Sequence, residues 1–430
     1  MPIPEKISAY LKKRASGKWL IEKDYPNSFQ KIIVVPSIAE SDNLPALIKS
    51  LEQNDELELL NTLLLIVVNN SISSSDEVKK DNKKTLEYLR NLRKKINLSF
   101  IDASTEGKEM DDKNGGVGLA RKIGMDLALT KFDYNSSQKR ILICTDADCK
   151  VDSDYLTGIS QEFNRNNYEA AVVNFAHDTS GEDEETKAII CYEIFLRYYV
   201  LGLSFANSDY AFHTIGSTMI CTPEAYAKVG GMNKRKAAED FYFLEKLSKV
   251  TNIGKISSAY VYPSKRSSWR VPFGTGRSVQ KFLSEKPEEY LLNDPESFVI
   301  LKKWLKVFFE ENPVDKNILL NKAKSINKYL FNFLTEQGFT DFAAKISIIL
   351  NRNQLMKQKN YWFDAFRTLK LIHYLRDTCC PNINMFEALD NLFELSNIPN
   401  EIGNKETIRK AIPDLAVQKQ YLNLLRNLQR

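Results

Sequence analysis

Two carboxylates stand one residue apart, Asp146 and Asp148, directly after the apolar run Ile141-Leu142-Ile143-Cys144. Residues i and i+2 of an extended chain point to the same side, so both carboxylates can converge on one point. Converging carboxylates suit a hard divalent cation, Mg²⁺ or Mn²⁺, which prefers oxygen ligands. Four consecutive apolar residues read as a strand buried on both faces. In an open α/β sheet, ligands collect beyond the carboxyl ends of such strands. Asp is also a common turn and helix-capping residue, so the pair alone fits either role.

Further polar groups follow in an order that matters. Gly115-Gly116-Val117-Gly118 opens a helix whose core face is Leu119, Ile123 and Leu127. Glycine lets a backbone approach a ligand closely, and a helix N-terminus favours anions. Arg121 and Lys122 add positive charge there. The pattern is neither a P-loop nor a dinucleotide fingerprint. Gly230-Gly231 precedes Glu239-Asp240, which open a helix carrying Phe241, Leu244 and Leu247. Asp240 can be a helix cap or a general base. Lys265, Arg266, Arg270 and Arg277 surround Gly274-Thr275-Gly276. Such a loop can close over a diphosphate, or it is a solvated basic turn. His213 follows Tyr210-Ala211-Phe212 and reads as a packed core histidine or as a metal ligand.

The elements that must position these groups alternate between strand and helix. Strands are expected at Lys31–Val35 (broken by Pro36), Leu63–Val68, Leu98–Asp102, Ile141–Cys144 and Ala170–Phe175. Helices are expected at Asn43–Leu51, 76–95 and 117–130, with apolar residues at helical spacing. Buried strands alternating with amphipathic helices predict an α/β fold with a doubly wound, mostly parallel sheet flanked by helices. Right-handed crossovers then gather Glu40, Asn69, Asn70, Asp102, Asp146 and Asp148 on one rim. Beyond about residue 290 strand signals fade. Phe298–Phe309, Ile318–Gln337, Phe342–Leu350 and Trp362–Asp377 read as helices. The expected division is a helix and linker over 1–29, a catalytic domain over 30–292 and an all-helical C-terminal region over 293–430.

Bulk properties narrow the function. The 430 residues are 43% hydrophobic and 27% charged, which permits a core and argues against disorder. A net charge of +5 on 60 basic and 55 acidic groups is too diluted to indicate nucleic acid. The longest uninterrupted apolar run, Leu63–Val68, is far short of a bilayer span, and no transmembrane segment is expected. Six scattered cysteines and three histidines give no zinc spacing. The absence of an apolar leader after Met1 and the scattered cysteines lead to the expectation of a soluble, cytoplasmic protein.

Pro36-x-x-x-Glu40, the strand end at 69–71, Gly118-x-Ala120-Arg121-x-x-Gly124, Asp146-Ala147-Asp148, Gly230-Gly231 and Glu239-Asp240 occur in the order and rough spacing of family-2 glycosyltransferases. Over roughly residues 30–290 the chain resembles their GT-A fold. The run His213–Ser217 to Glu239–Phe243 also resembles a little-characterised bacterial subset. The resemblance implies a metal-dependent, inverting transfer from a UDP- or GDP-sugar to an unknown acceptor, with Mn²⁺ or Mg²⁺ as cofactor. It implies Asp146 and Asp148 as the metal motif, with Asp148 the more direct ligand, and Asp240 as base with Glu239 beside it. Pro36, Glu40 and Asn70 would line the nucleotide pocket, Arg121 would lie near the nucleotide, and His213 would matter only in a retaining-type metal site. Two departures stand out. Ala39 replaces the usual Asn before Glu40, and Asn69-Asn70 replace an Asp pair. The Gln-x-x-Arg-Trp motif of processive synthases is absent, with Trp269-Arg270 to Arg277 in its place. Rival readings are a nucleotidyltransferase acting on a sugar phosphate, and a non-catalytic scaffold on a degenerate transferase fold.

Overall fold

The computed structural model describes residues 2–15, 17–26, 28–92, 95–265, 290–310, 316–402 and 412–430. The chain forms two compact units that are interleaved in sequence. One comprises residues 1–181, 214–278 and 430, and the other 182–213 and 279–429.

Among the described residues, the first unit is built on one sheet of nine strands. In chain order these are β1 (Ile21–Glu22), β2 (Lys31–Ser37), β3 (Thr62–Asn69), β4 (Asn97–Ala103), β5 (Ile141–Cys144), β6 (Lys150–Val151), β7 (Ala170–Phe175), β8 (Met219–Cys221) and β9 (Ile253–Tyr262). Their spatial order is β1-β4-β3-β2-β5-β8-β7-β9-β6. The central strands β4, β3, β2 and β5 are parallel, as the βα alternation predicts. β8 is a short antiparallel insertion between β5 and β7. β2, β3, β5 and β7 bury every residue, because both faces of the sheet are covered.

Helices α1 (Glu5–Arg14), α2 (Leu44–Leu51), α3 (Glu56–Leu60), α4 (Asp76–Asn91), α5 (Val117–Ala128) and α6 (Tyr155–Arg165) belong to this unit. Leu44, Leu47, Leu51, Leu86, Leu89 and Tyr155 pack with Ile33, Val35, Ile66 and Ile143 on one face. α5 covers the other face: a Cβ on Gly124 would meet the side chains of Val34 and Val67.

The order of the strands fixes where a ligand can sit. From β2 the chain winds outward through β3 to β4, then returns to place β5 on the opposite side of β2. The reversal between β2 and β5 is a topological switch point, the crevice where open α/β sheets bind ligands.

Pro36 does not break its strand. β2 continues to Ser37, with Pro36 opposite Val67 of β3. The carbonyl of Val34 accepts from Thr145 beyond the end of β5. Backbone groups of alternate residues face the same neighbour, so the position of the missing N–H of Pro36 faces the β5 side. The ladder there has already ended, and no sheet hydrogen bond is lost.

The second unit is helical. α7 (Glu184–Phe205) is joined in it by helices α10 to α17, after α8 (Pro223–Lys228) and α9 (Glu239–Ser248) of the first unit. These are α10 (Glu296–Phe308), α11 (Lys316–Ile326), α12 (Lys328–Glu336), α13 (Phe339–Ile346), α14 (Arg352–Trp362), α15 (Ala365–Thr378), α16 (Met385–Leu395) and α17 (Leu415–Leu428). One small ribbon, β10 (Leu291–Leu292) with β11 (Ile383–Asn384), accompanies them. The single helix expected over 318–337 is two. Asn327 leaves helical geometry and its side chain accepts from the backbone N–H of Tyr329 and Leu330, capping α12. Trp304, Phe308, Phe339 and Phe363 form the aromatic centre of this unit.

Counting uninterrupted apolar residues passes over α7, which Glu193 and Arg197 interrupt. By length and composition this helix is long and apolar enough to cross a bilayer. In this protein 61% of its apolar window is buried.

Candidate active site

The carboxyl end of β5 runs into Thr145-Asp146-Ala147-Asp148, and the backbone turns at once, with the N–H of Cys149 donating to the carbonyl of Asp146 at 3.1 Å. This places Asp146 and Asp148 beside the switch point between β2 and β5. Both side chains are partly exposed. On the β2 side the chain leaves Ser37 through Ala39, which adopts a left-handed φ of 50°, to Glu40. The Glu40 carbonyl starts α2 by accepting from Asn43 and Leu44, and its carboxylate accepts from the Asn43 amide at 2.7 Å.

Arg121 ties the two acid pairs together. It lies in the second turn of α5 and is only 3% exposed. One guanidinium nitrogen, Nη2, donates to Asp146 Oδ1 at 2.5 Å, and the other, Nη1, donates to Glu239 Oε1. Burial works against the charge of the guanidinium, but Asp146 and Glu239 more than offset this and hold its pKa above the ordinary value. Gly216 makes room: a side chain there would occupy the volume of the guanidinium group. Arg121 therefore bridges carboxylates within the site, and its nitrogens Nη1 and Nη2 are spent there.

Glu239 and Asp240 open α9 without a side-chain cap. Ala238 precedes them in a left-handed conformation, φ 56°, and the amide of Asn233 donates to the Glu239 carbonyl at 2.8 Å. Asp240 accepts from its neighbour's N–H, Phe241, at 2.7 Å. It keeps some contact with solvent, yet its carboxyl lies deep among neighbouring atoms. Burial first, then the charge of Glu239, push its pKa up to about 7, against the opposing pull of Arg121. Glu239 is also raised, by burial, despite the adjoining guanidinium. A carboxyl group that exchanges its proton near neutral pH is suited to general-base work.

Other expected site residues are placed differently. Asn70 is fully buried, and its side chain is committed at both ends: Oδ1 accepts from Asn82 Nδ2 at 2.8 Å, and Nδ2 donates to the Ser71 carbonyl. It braces the loop instead of lining a nucleotide pocket. Asn82 completes the brace, donating to the Asn69 carbonyl and accepting from the strained Ala39 N–H at 2.9 Å. Sequence reasoning missed Asn82. The signal was present, because Val78, Asn82, Thr85 and Leu89 share one face of α4, so a polar residue sat on an apolar stripe. Asn69 next door has a buried Oδ1 with no hydrogen-bond partner among the described residues. Asp102 is occupied by Ser104, Thr105 and Lys108 in its own turn. His213 belongs to the second unit, where Nε2 pairs with Gln429 Oε1 at 3.0 Å, the packed role and not a ligand's. Arg270 and Arg277 lie outside the described residues.

The donor chemistry fits a hard cation held in part by the protein. Asp146 and Asp148 offer carboxylate oxygens, one of which already accepts from Arg121. Among the described residues no three His, Cys, Asp or Glu side chains are grouped to hold a metal unaided. This is the arrangement in which Mg²⁺ binds through one or two carboxylates and completes its shell with substrate phosphates and water.

No protein-family model and no curated protein sequence matches the chain. Among solved structures it is similar to residues 1–349 of TarS from S. aureus in complex with UDP-GlcNAc, at 14% identity, covering 72% of this chain and 92% of that one, with a TM-score of 0.38. It is also similar to the mannosyltransferase PcManGT from Pyrobaculum calidifontis in complex with GDP-Man and Mn²⁺, at 15% identity, covering 86% and 90%, with a TM-score of 0.37. Both likenesses are remote.

Proposed function

We propose that the protein is a glycosyltransferase that moves a sugar from a nucleoside-diphosphate sugar to an acceptor hydroxyl with inversion. One observation carries this reading. At the switch point of the sheet, Arg121 joins the acid pair at the end of β5 to an acid pair at the start of α9 whose second member, Asp240, titrates near neutrality. The first pair suits a metal and diphosphate; the second suits proton removal. The order of motifs that resembles family-2 glycosyltransferases supports the same assignment. We assign the chemistry to that part of residues 30–292 which belongs to the sheet unit, and leave the helical region over 293–430 outside it.

In this reading Asp240 accepts the proton of the acceptor hydroxyl as its oxygen attacks the anomeric carbon. The bond to the diphosphate oxygen breaks, and the transition state has oxocarbenium character. Asp148, with Asp146, would hold Mg²⁺ or Mn²⁺, which supplies neutralisation of the diphosphate charge. Arg121 keeps Asp146 and Glu239 in place, with Glu239 beside Asp240. Asn69 at the end of β3 and Glu40 after β2 stand at the rim where a nucleoside would bind in this reading. An uncharged Asn at the end of β3 makes recognition there depend on hydrogen bonding alone.

The test is a thermal-shift panel of UDP, GDP, dTDP and CDP, with and without Mn²⁺, on wild type, Asp148→Ala and Asp240→Asn. Ligands that bind only the folded state raise apparent stability, by about 2.7 kcal/mol at a hundredfold excess over Kd. One nucleotide should shift wild type only with Mn²⁺, fail on Asp148→Ala and still shift Asp240→Asn. With the matching sugar donor, Asp240→Asn should release no nucleotide. Turnover by that variant would remove Asp240 from the base role. No shift with any nucleotide would overturn the transferase reading.

A further inference from the structure

Between α1 and α8 of the sheet unit lies an open pocket of about 320 Å³, lined by Lys6, Lys13, Arg14 and Lys228 with no acidic residue among its walls. The pocket is held by a buried network. Tyr10 of α1 and Tyr226 of α8 both donate to Asp126 Oδ1, at 2.6 and 2.7 Å, and Lys122 donates to the Tyr10 hydroxyl while pairing with Asp126 at 3.0 Å. Ile7 and Tyr10 are buried, so the apolar face of α1 is used up in packing and its cations are left outward. The chain then passes through Gly230, φ 78°, where a Cβ would lie 2.7 Å from the Arg14 guanidinium. Glycine at this position lets the arginine lie against the backbone.

Among the described residues, Glu224 pairs with Arg140 and Glu245 with Lys249, and neither is paired with these cations. The positive field reaches α9. Lys246 has its pKa lowered by burial and then by the charge of Arg14, with Lys122 and Arg235 adding to it against the opposing pull of Glu245. Basic residues in the last turn of α1 also complement its helix dipole, but that accounts for Lys12, Lys13 and Arg14 and not for Lys6 or for Lys228 on α8. Four cations around one concavity call for an anionic ligand, and an arginine fork matches phosphate geometry.

We propose that this pocket is a phosphate-binding site, separate from the candidate active site, that takes the phosphate group of a lipid headgroup or of a soluble phosphate ester. It does not depend on the transferase assignment. The test uses the full chain, with glycerol 3-phosphate in calorimetry and with vesicles of phosphatidylcholine alone or mixed with phosphatidylglycerol in sedimentation. Lys13→Ala/Arg14→Ala should weaken binding about tenfold or more, the effect of losing one charge-assisted hydrogen bond. Lys83→Ala/Lys84→Ala, which removes the same charge from α4, should bind as wild type does. If the first variant unfolds, Lys228→Ala makes the same test from the other helix. Binding to phosphatidylglycerol vesicles alone identifies a headgroup; binding to glycerol 3-phosphate alone identifies a soluble ester. Equal losses in the two double variants, or no binding by wild type to either probe, would overturn the proposal.

Discussion

At the scale of single residues, the site is governed by how Asp146, Glu239 and Asp240 share one buried guanidinium. Asp146 and Glu239 take both ends of Arg121, and Asp240, left next to a second acid, holds its proton up to about 7. The ordinary value for Asp is about 3.9, so between these values the folded chain binds more protons than the unfolded chain. Stability therefore falls as pH rises through that window, and the loss is complete above the folded pKa. Asp240→Asn has no proton to lose. In metal-free buffer it should gain on wild type by on the order of a few kcal/mol between about pH 5 and about pH 8. Urea denaturation at a series of pH values measures this gap. A gap that is constant with pH would mean that Asp240 is not raised.

At the scale of elements, α5 can deliver Arg121 only because it lies unusually close to the sheet. Gly124 sits on its inner face, and a Cβ there would approach Val67 Cγ2 at 2.8 Å and crowd Val34 as well. In an exposed helix, Gly→Ala is expected to stabilise by about 1 kcal/mol. Here the sign reverses. The valine methyls are fixed in the sheet and cannot swing away, and overpacking of this kind costs about 1–3 kcal/mol. Gly124→Ala should lower the urea midpoint and weaken nucleotide binding, since the helix that carries Arg121 must lift. Unchanged or increased stability would show that α5 has slack.

At the scale of the whole molecule, a unit needs a means of closing on its last helix. In the helical unit it is charge: Glu193, fully buried in α7, accepts from Arg197 at 2.8 Å and from two nitrogens of Arg426 in α17, each at 2.7 Å. Arg197 in turn reaches Gln429, which pairs with His213. This network fastens the last helix to α7. Removing one partner of a buried pair leaves the other charge uncompensated, at a cost of about 3–5 kcal/mol. Glu193→Ala should destabilise this unit by that amount in chemical denaturation and expose α17 to limited proteolysis. A loss under about 1 kcal/mol would place the fastening in the apolar contacts around Tyr421 and Leu425 instead.

The sequence by itself determined what periodicity and local chemistry can encode. β5 and β7 fall where their apolar runs lie, because a strand buried on both faces is written as consecutive apolar residues. The acid pair after β5 and the acid pair opening α9 were legible as residue types in positions suited to chemistry. Only the tertiary structure decided which of them meet. Arg121 and Glu239 are 118 residues apart and become partners because α5 and α9 pack together. Asn70 read as a rim residue and Asn82 was passed over, yet Asn82 donates to the Asn70 side chain. Lys6 and Lys228 belong to helices with no sequence relation, and they share a pocket because Asp126 draws Tyr10 and Tyr226 together. Local patterns are set by neighbours along the chain. Pairing across it depends on which buried polar groups satisfy one another, and that depends on packing.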